Sequence, residues 1–177
     1  MSERLPPPRT CCAFVRRVPE GDNLERDVCA KCGHVHYVNP KIVVGAVCSW
    51  HGRILLCRRA IEPRKGFWTI PAGFMEERET PAEGAAREAY EEATARIDID
   101  RLLAVYAVPR ISQVQLIFRA KLADGTFAPG TESLETSLFA WEEIPWKDLA
   151  FPSVYWALNH HRESGDKADF APFGNPA

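Results

Sequence analysis

Apolar and polar positions change rhythm several times along the chain. "KIVVGAVCSW", the dipeptide "HG" and "RILLCRRA" make two apolar runs joined by two turn residues, the pattern of a β-hairpin. "GFWTIPAG" predicts a short strand ending at Pro71. "IDIDRLLAVYAV" and "SQVQLIFRAKL" predict two further strands, the second with alternation, and "SLFAWEEI" another. "PWKDLA" suits a short helix and "FPSVYWALNHHRE" an amphipathic one. Strands alternating with helices over residues 40–163 predict an α/β layered domain with mixed pairing. Residues 1–10 and 164–177, rich in Pro, Gly and charge, read as tails. Residues 11–38 are short, polar and dotted with Cys and His, with too little apolar content for a core of their own. No internal repeat is visible.

One stretch breaks the pattern. "GFMEERETPAEGAAREAYEEATA" holds seven glutamates and two arginines, a local charge of −5 in a chain whose total is −2. Thr80 as N-cap, Pro81 at the first helical position and Glu83 at the third predict a helix from Pro81 to about Thr94. At about 100° per residue, with Glu88 at 0°, Glu92 falls near 40° and Glu91 near −60°. Ala82, Ala86, Ala89, Tyr90 and Ala93 fall between roughly 100° and 200°. The wheel therefore predicts an alanine face that can approach a sheet closely and a carboxylate face pointing nearly the opposite way. Glu83 can pair with Arg87 at i,i+4, which suits a solvated surface. Glu88, Glu91 and Glu92 instead crowd like charge at a cost of a few tenths of a kcal/mol per pair, roughly, and nothing basic on the helix is expected to relieve them. A divalent cation preferring oxygen would convert that repulsion into ligation. Spacing alone leaves both readings open.

The order of residues adds more. Gly73, five residues, Glu79, seven residues, Arg87-Glu88-Ala89, one residue, Glu91-Glu92 resembles the Nudix hydrolase signature. Thr94 stands where that signature has glycine, so a shifted helix end is expected there. The resemblance implies a Nudix α/β/α sandwich with a mixed sheet, and metal-dependent hydrolysis of a diphosphate by water attack on phosphorus. It implies Mg²⁺ or Mn²⁺ held by Glu88, Glu91, Glu92 and the carbonyl of Ala72, with Arg87 and Glu79 paired to hold the loop against the helix. A glutamate from a distant loop completes such sites or acts as base; Glu132 in "PGTESLE" is the candidate and Glu135 the alternative. The base stays open between Glu88 and that distal glutamate.

Composition narrows the setting. Twenty-two basic and 24 acidic residues give no general pull toward nucleic acid or a membrane. No run of about 18 apolar residues exists, and "MSERLPPPRT" lacks a secretory apolar stretch, so a cytoplasmic protein is expected, or an organellar one if a transit segment was lost. Cys48 and Cys57 sit in strand-like runs and read as small buried hydrophobes. Cys11, Cys12, Cys29 and Cys32 cluster in a polar stretch, where metal binding fits a cytosolic chain better than disulfides. "CAKCG" is a two-thiolate knuckle with a glycine for its turn, and its surroundings resemble the N-terminal zinc ribbon of one Nudix branch. Adjacent Cys11 and Cys12 cannot easily reach one tetrahedral ion together. The expected zinc set is Cys29, Cys32, one of Cys11 and Cys12, and a fourth ligand such as His34 or His36, although both histidines read more readily as surface or strand residues; a metal-free module is the alternative.

"VNPKIVVG", "LLCRRAIEPRKGFWTIPAGFME", "ISQVQLIFRAKL" and "APGTESLETSLFAWEEIPWKDLAF" resemble the ribbon-bearing group that includes plant plastid FAD diphosphatases and bacterial ADP-ribose pyrophosphatase-like proteins. The NADH pyrophosphatase array is absent, since Ser112-Gln113 continues as Val-Gln-Leu, and the coenzyme A signature lacks its spacing. The resemblance thus implies a small-molecule dinucleotide, FAD or ADP-ribose, cleaved to AMP and a second monophosphate, and a homodimer. Phe67, Trp68, Tyr106 and Trp141 can stack on a ring, although their strand-like surroundings favour core packing. Arg58, Arg59, Arg64 and Lys65 can hold phosphates or simply face water. Two alternatives stand beside this: an NADH or NAD-capped-RNA diphosphatase, and a nucleic-acid-binding zinc module with an inactive Nudix domain. "CCAFVRR" is basic, but "PEGDNLERD" offsets it, so no nucleic-acid partner is expected.

Overall fold

The computed structural model describes residues 13–176, which divide into one unit ending at Asn39 and another beginning at Pro40. In the first, β1 (Phe14–Arg17), β2 (Arg26–Cys29) and β3 (Val35–His36) form an antiparallel sheet in that order. The knuckle is formed: the Gly33 amide donates to the Cys29 carbonyl at 2.9 Å, and Gly33 takes a φ of 72° that disfavours side chains. Cys29 is buried and Cys32 exposed. Cys11 and Cys12 lie outside the described residues.

The second unit opens with β4 (Lys41–Trp50) and β5 (Arg53–Arg59). His51 and Gly52 turn the chain between them, both at positive φ, as a tight hairpin requires. Where one strand is expected before Pro71, two short ones flank it: β6 (Trp68–Thr69) and β7 (Ala72–Phe74). Helix α1 (Pro81–Ala93) follows, then β8 (Ile97–Val108) and β9 (Gln113–Leu122). β10 spans Ser133–Phe139, starting earlier than "SLFAWEEI" suggests, with Trp141–Glu143 as a 3₁₀ turn. A second such turn, Trp146–Asp148, leads to α2 (Pro152–Ser164).

The sheet runs β10-β5-β4-β9-β8, with β6 added to β5 and β7 to β4. β4 and β9 are parallel and the other pairs antiparallel, so the sheet is mixed. β4 meets β5 only at Ser49 and Trp50, beside the turn, whereas Val43–Gly45 pair with β7. The hairpin strands therefore diverge into a fork. Ala85, Ala89 and Ala93 of α1 pack on one face of the sheet with Val44, Ala46, Cys48 and Phe118. Val154, Ala157 and Leu158 of α2 pack on the other with Val47, Leu56, Leu103 and Ile117. The architecture is an α/β/α sandwich. Cys48 and Cys57 are both buried in it, and burial pushes the Cys48 thiol up to about 12. No helix among the described residues is long and apolar enough to cross a membrane.

The segment after Ser164 does not behave as a tail. Arg119, ion-paired with Asp100, also donates to the carbonyls of Gly165 and Lys167, and Phe170 lies under both Arg101 and Arg119. Phe173 bridges β8, donating to the Leu103 carbonyl and accepting from the Val105 amide at 2.9 Å each. The Asn175 side chain then imitates a backbone: it accepts from the Ala107 amide and donates to the Ala107 carbonyl. His160 stacks on Phe173 at 4.4 Å and meets the Tyr106 hydroxyl at 2.7 Å.

Candidate active site

The capping box forms as its residues dictate. The Thr80 hydroxyl accepts from the Glu83 amide, and the Glu83 carboxylate accepts from the Thr80 amide at 2.8 Å. Glu83 is thereby taken from the pairing with Arg87 that helix spacing suggests. The helix ends at Ala93, and Thr94 itself takes the left-handed position where a glycine is usual, at φ 48°. The helix end is thus not displaced. The Thr94 amide caps the carbonyls of Ala89 and Tyr90, and its hydroxyl donates to Ala128 at 3.2 Å.

The helix is rotated from the orientation its polarity implies. Glu88 and Glu92 are 8% and 6% exposed, on the same side as Ala85 and Ala89, while Tyr90 is 59% exposed. Two carboxylates therefore face the sheet instead of solvent. Glu92 reaches the fork and accepts from the Ala72 amide at 3.2 Å. Burial pushes its carboxyl up to about 8, with the charges of Glu88 and Glu132 adding to the rise and that bond opposing it. Burial raises Glu88 as well. Gly73 makes room for it, since a Cβ there would overlap the Glu88 carboxylate.

The helix does contain a cation that relieves this crowding. Arg87 grips Glu79 with two bonds of 3.0 and 2.9 Å and donates to the Phe74 carbonyl at 3.0 Å, tying the β7–α1 loop to the helix. Its Nη1 also donates to Glu88 and Glu91, each at 2.8 Å. Hydrogen bonds from Arg87 hold the Glu79 carboxyl down at about 2, and Glu79 in turn raises Arg87.

The far loop closes on the end of the helix. Ala128 and Gly130 amides donate to the Ala93 and Glu92 carbonyls at 2.8 and 3.0 Å, satisfying groups the helix leaves open. Gly130 approaches so closely that a Cβ would overlap the Glu91 carbonyl. Gly130→Ala is expected to lose about 1–3 kcal/mol of stability by overpacking and to displace Glu132 two residues on, lowering activity; urea unfolding and a turnover assay check both effects. Glu132 lies in a cavity of about 1090 Å³ together with Ala72, Gly73, Glu88, Glu91 and Glu92. Glu135 does not; it pairs with Arg58 at 3.5 Å.

Six glutamates and three arginines line this cavity, leaving a charge of −3 if all ionise. Among the described residues no three His, Cys, Asp or Glu side chains form a finished cation cage. Arg87 bridges Glu88 and Glu91, and Glu92 is turned to the Ala72 amide. The donor set nevertheless fits a hard divalent cation: every candidate ligand is oxygen, negative charge is in surplus, and burial already penalises the charge on Glu88 and Glu92.

Residues 39–161 match the family model described as the NUDIX domain. The chain belongs to the Nudix family. Residues 8–38 match a second model, the Nudix N-terminal zinc-ribbon family. A Nudix hydrolase from Nitrosomonas europaea shares the structure with a TM-score of 0.85 and 51% identity, over 91% of this chain and 92% of that one. An ADP-ribose pyrophosphatase of Methanocaldococcus jannaschii is 30% identical over 119 residues, 65% of this chain and 69% of the relative. A MutT-like protein of Streptomyces ambofaciens is 37% identical over 102 residues, 58% of this chain; the aligned part is 64% of that relative, under two thirds of its length. These likenesses support the Nudix family and ADP-ribose pyrophosphatase-like relatives, and do not single out the plastid FAD diphosphatases.

Within the Nudix unit, tertiary structure sorts side chains that the sequence left equal. Of Arg58, Arg59, Arg64 and Lys65, Arg59 alone lines the cavity; its Nε is held by the Pro63 carbonyl at 2.9 Å and its guanidinium lies over Phe151. Arg58 is engaged by Glu135 and Gly66, and Arg64 lies over Phe67. Phe67, Trp68, Tyr106 and Trp141 are absent from the cavity lining, and Trp141 faces a separate cleft beside Trp50. The aromatic lining comes from Phe74, Phe151 and Trp156, with Arg110, Gln113 and Gln115 nearby. Sequence reasoning missed these. The alternation in "SQVQLIFRAKL" places Gln113 and Gln115 on one face of a strand and was the available signal.

Proposed function

We propose that this chain hydrolyses the diphosphate link of a nucleoside-diphosphate-linked small molecule, ADP-ribose foremost and FAD second, to AMP and a second monophosphate. The observation that carries this reading is the convergence of Glu88, Glu91, Glu92 and Glu132 on one cavity lined by Arg59. Glu88, Glu91, Glu92 and the Ala72 carbonyl would hold Mg²⁺ or Mn²⁺. Such an ion neutralises diphosphate charge and lowers the pKa of a bound water.

The side chains divide the remaining work. The Arg59 guanidinium, oriented through its Nε and Phe151, faces the cavity where a phosphate would lie. Glu79 fixes Arg87, which steadies Glu88 and Glu91. The carboxylate of Glu132 is exposed and has no hydrogen-bond partner among the described residues, so we assign it as the base. Water oxygen attacks one phosphorus, Glu132 takes the water proton, and the bridging oxygen departs with the other phosphate. The charge on that oxygen explains why the Arg59 guanidinium helps.

The test is a panel of ADP-ribose, FAD, NADH and NAD-capped RNA, each with Mg²⁺ or Mn²⁺. AMP release from ADP-ribose or FAD is expected; turnover of none, or of capped RNA alone, would overturn the reading. Glu132→Gln is expected to slow the reaction by roughly 10²–10⁴-fold with the fold intact by circular dichroism. We further propose that the N-terminal unit holds structural Zn²⁺ through Cys29, Cys32 and one of Cys11 and Cys12, with His34 or His36 as the fourth ligand. The formed knuckle supports this, and metal content of the purified protein tests it.

A further inference from the structure

Resting on that reading, we propose that Gln113 and Gln115 read the base of the substrate, and that the base is adenine. Both side chains line the cavity and stand two residues apart on one face of β9. The Gln115 amide nitrogen donates to the Gln113 carbonyl oxygen at 3.4 Å. This contact leaves the Gln113 amide nitrogen and the Gln115 carbonyl oxygen with no protein partner among the described residues. Flipping both amides exchanges the roles and leaves the same pair, one donor group beside one acceptor. A partly buried donor–acceptor pair that the protein does not satisfy is complementary to a ring carrying an acceptor beside a donor. The N6 amine of adenine, with the ring nitrogen next to it, is such an edge, and glutamine is suited to it.

Position agrees with chemistry. Phe74, Val43 and Gln115 are register partners across β7, β4 and β9. Gln115 therefore stands two strand spacings, about 10 Å, from the strand whose Ala72 amide meets Glu92. A ribose separates a phosphate from its base over a comparable reach. Val43, Ile117 and Trp156 supply apolar surface around the pair, against which a flat ring can lie.

The proposal is tested by titrating AMP and ribose 5-phosphate into the full chain in EDTA by calorimetry. Wild-type protein is expected to bind AMP roughly tenfold or more tightly than ribose 5-phosphate. Gln115→Leu removes that preference and leaves ribose 5-phosphate binding unchanged, and Gln115→Glu, which keeps the shape but loses the amide donor, reduces the preference. In turnover, both variants raise KM for ADP-ribose and leave kcat near its wild-type value. Equal binding of the two ligands by wild-type protein, or an undiminished preference in both folded variants, overturns the proposal. Failure of the hydrolase reading is separately visible as absence of turnover by wild-type protein with either metal.

Discussion

Glu92→Gln protein is expected to hydrolyse ADP-ribose roughly 100- to 1,000-fold more slowly than wild type and, stripped of metal, to resist urea better near pH 8. Both effects follow from one burial. The Glu92 carboxyl titrates at about 8 in the fold, against 4.5 for an ordinary glutamate. Between those values the folded protein keeps a proton that the unfolded chain has released. Stability from this group is therefore greatest below about pH 4.5 and declines as pH rises toward 8, by up to about 1.4 kcal/mol per pH unit. Glutamine has no proton to lose and removes that decline. Glu88 is raised in the same direction, so some slope remains in the variant. Urea midpoints in EDTA at about pH 5 and about pH 8 decide the matter; identical pH dependence in the two proteins would show that Glu92 is not held as described.

The second large effect comes from a residue with no polar atom in its side chain. Ala89 is fully buried where α1 meets Val44, Ala46 and Phe118, and it adjoins Glu88 and precedes Glu92 by one turn. Ala89→Leu inserts three carbon atoms into that contact. A destabilisation of about 1–3 kcal/mol is expected. Activity should fall on the order of 100-fold, because lifting the helix by about 1 Å moves the carboxylates out of register with the fork. Tyr90→Ala, one position along but on the exposed side, should change stability by no more than about 0.5 kcal/mol and leave turnover intact. Chemical unfolding and kcat for the two variants, measured side by side, test whether the alanine face sets the height of the acidic edge.

Local signals made much of this molecule legible. Thr80, Pro81 and Glu83 specify a helix start through contacts within one turn, and His51-Gly52 specifies a hairpin through its own backbone angles. The order of strands and helices was enough for an α/β layered domain; the sandwich, and the choice of Glu88, Glu91 and Glu92 as metal ligands, came from the resemblance of the Gly73–Glu92 order to the Nudix signature. What escaped was decided over longer distances. The helical wheel sorted faces by polarity, but Glu88 and Glu92 are buried by a fork that forms between strands. Arg87 pairs with Glu79 as the signature implies, but its further bonds to Glu88 and Glu91, which relieve the crowded carboxylates, were not expected from the helical wheel. Phe151 and Trp156 enter the cavity only because α2 crosses the opposite face of the sheet. The residues after Ser164 have the composition of a tail, and contacts with β9 and pairing with β8, 46 to 68 residues earlier, order them.

That last pairing has a practical corollary for following the molecule in solution. The Val105 and Ala107 amides belong to the outermost strand of the sheet, where hydrogens ordinarily trade places with solvent deuterium quickly. Here each is covered, by the Phe173 carbonyl and the Asn175 side chain respectively. Deuterium uptake at these two positions is therefore a clock for detachment of the C-terminal segment, readable without touching the acidic cluster.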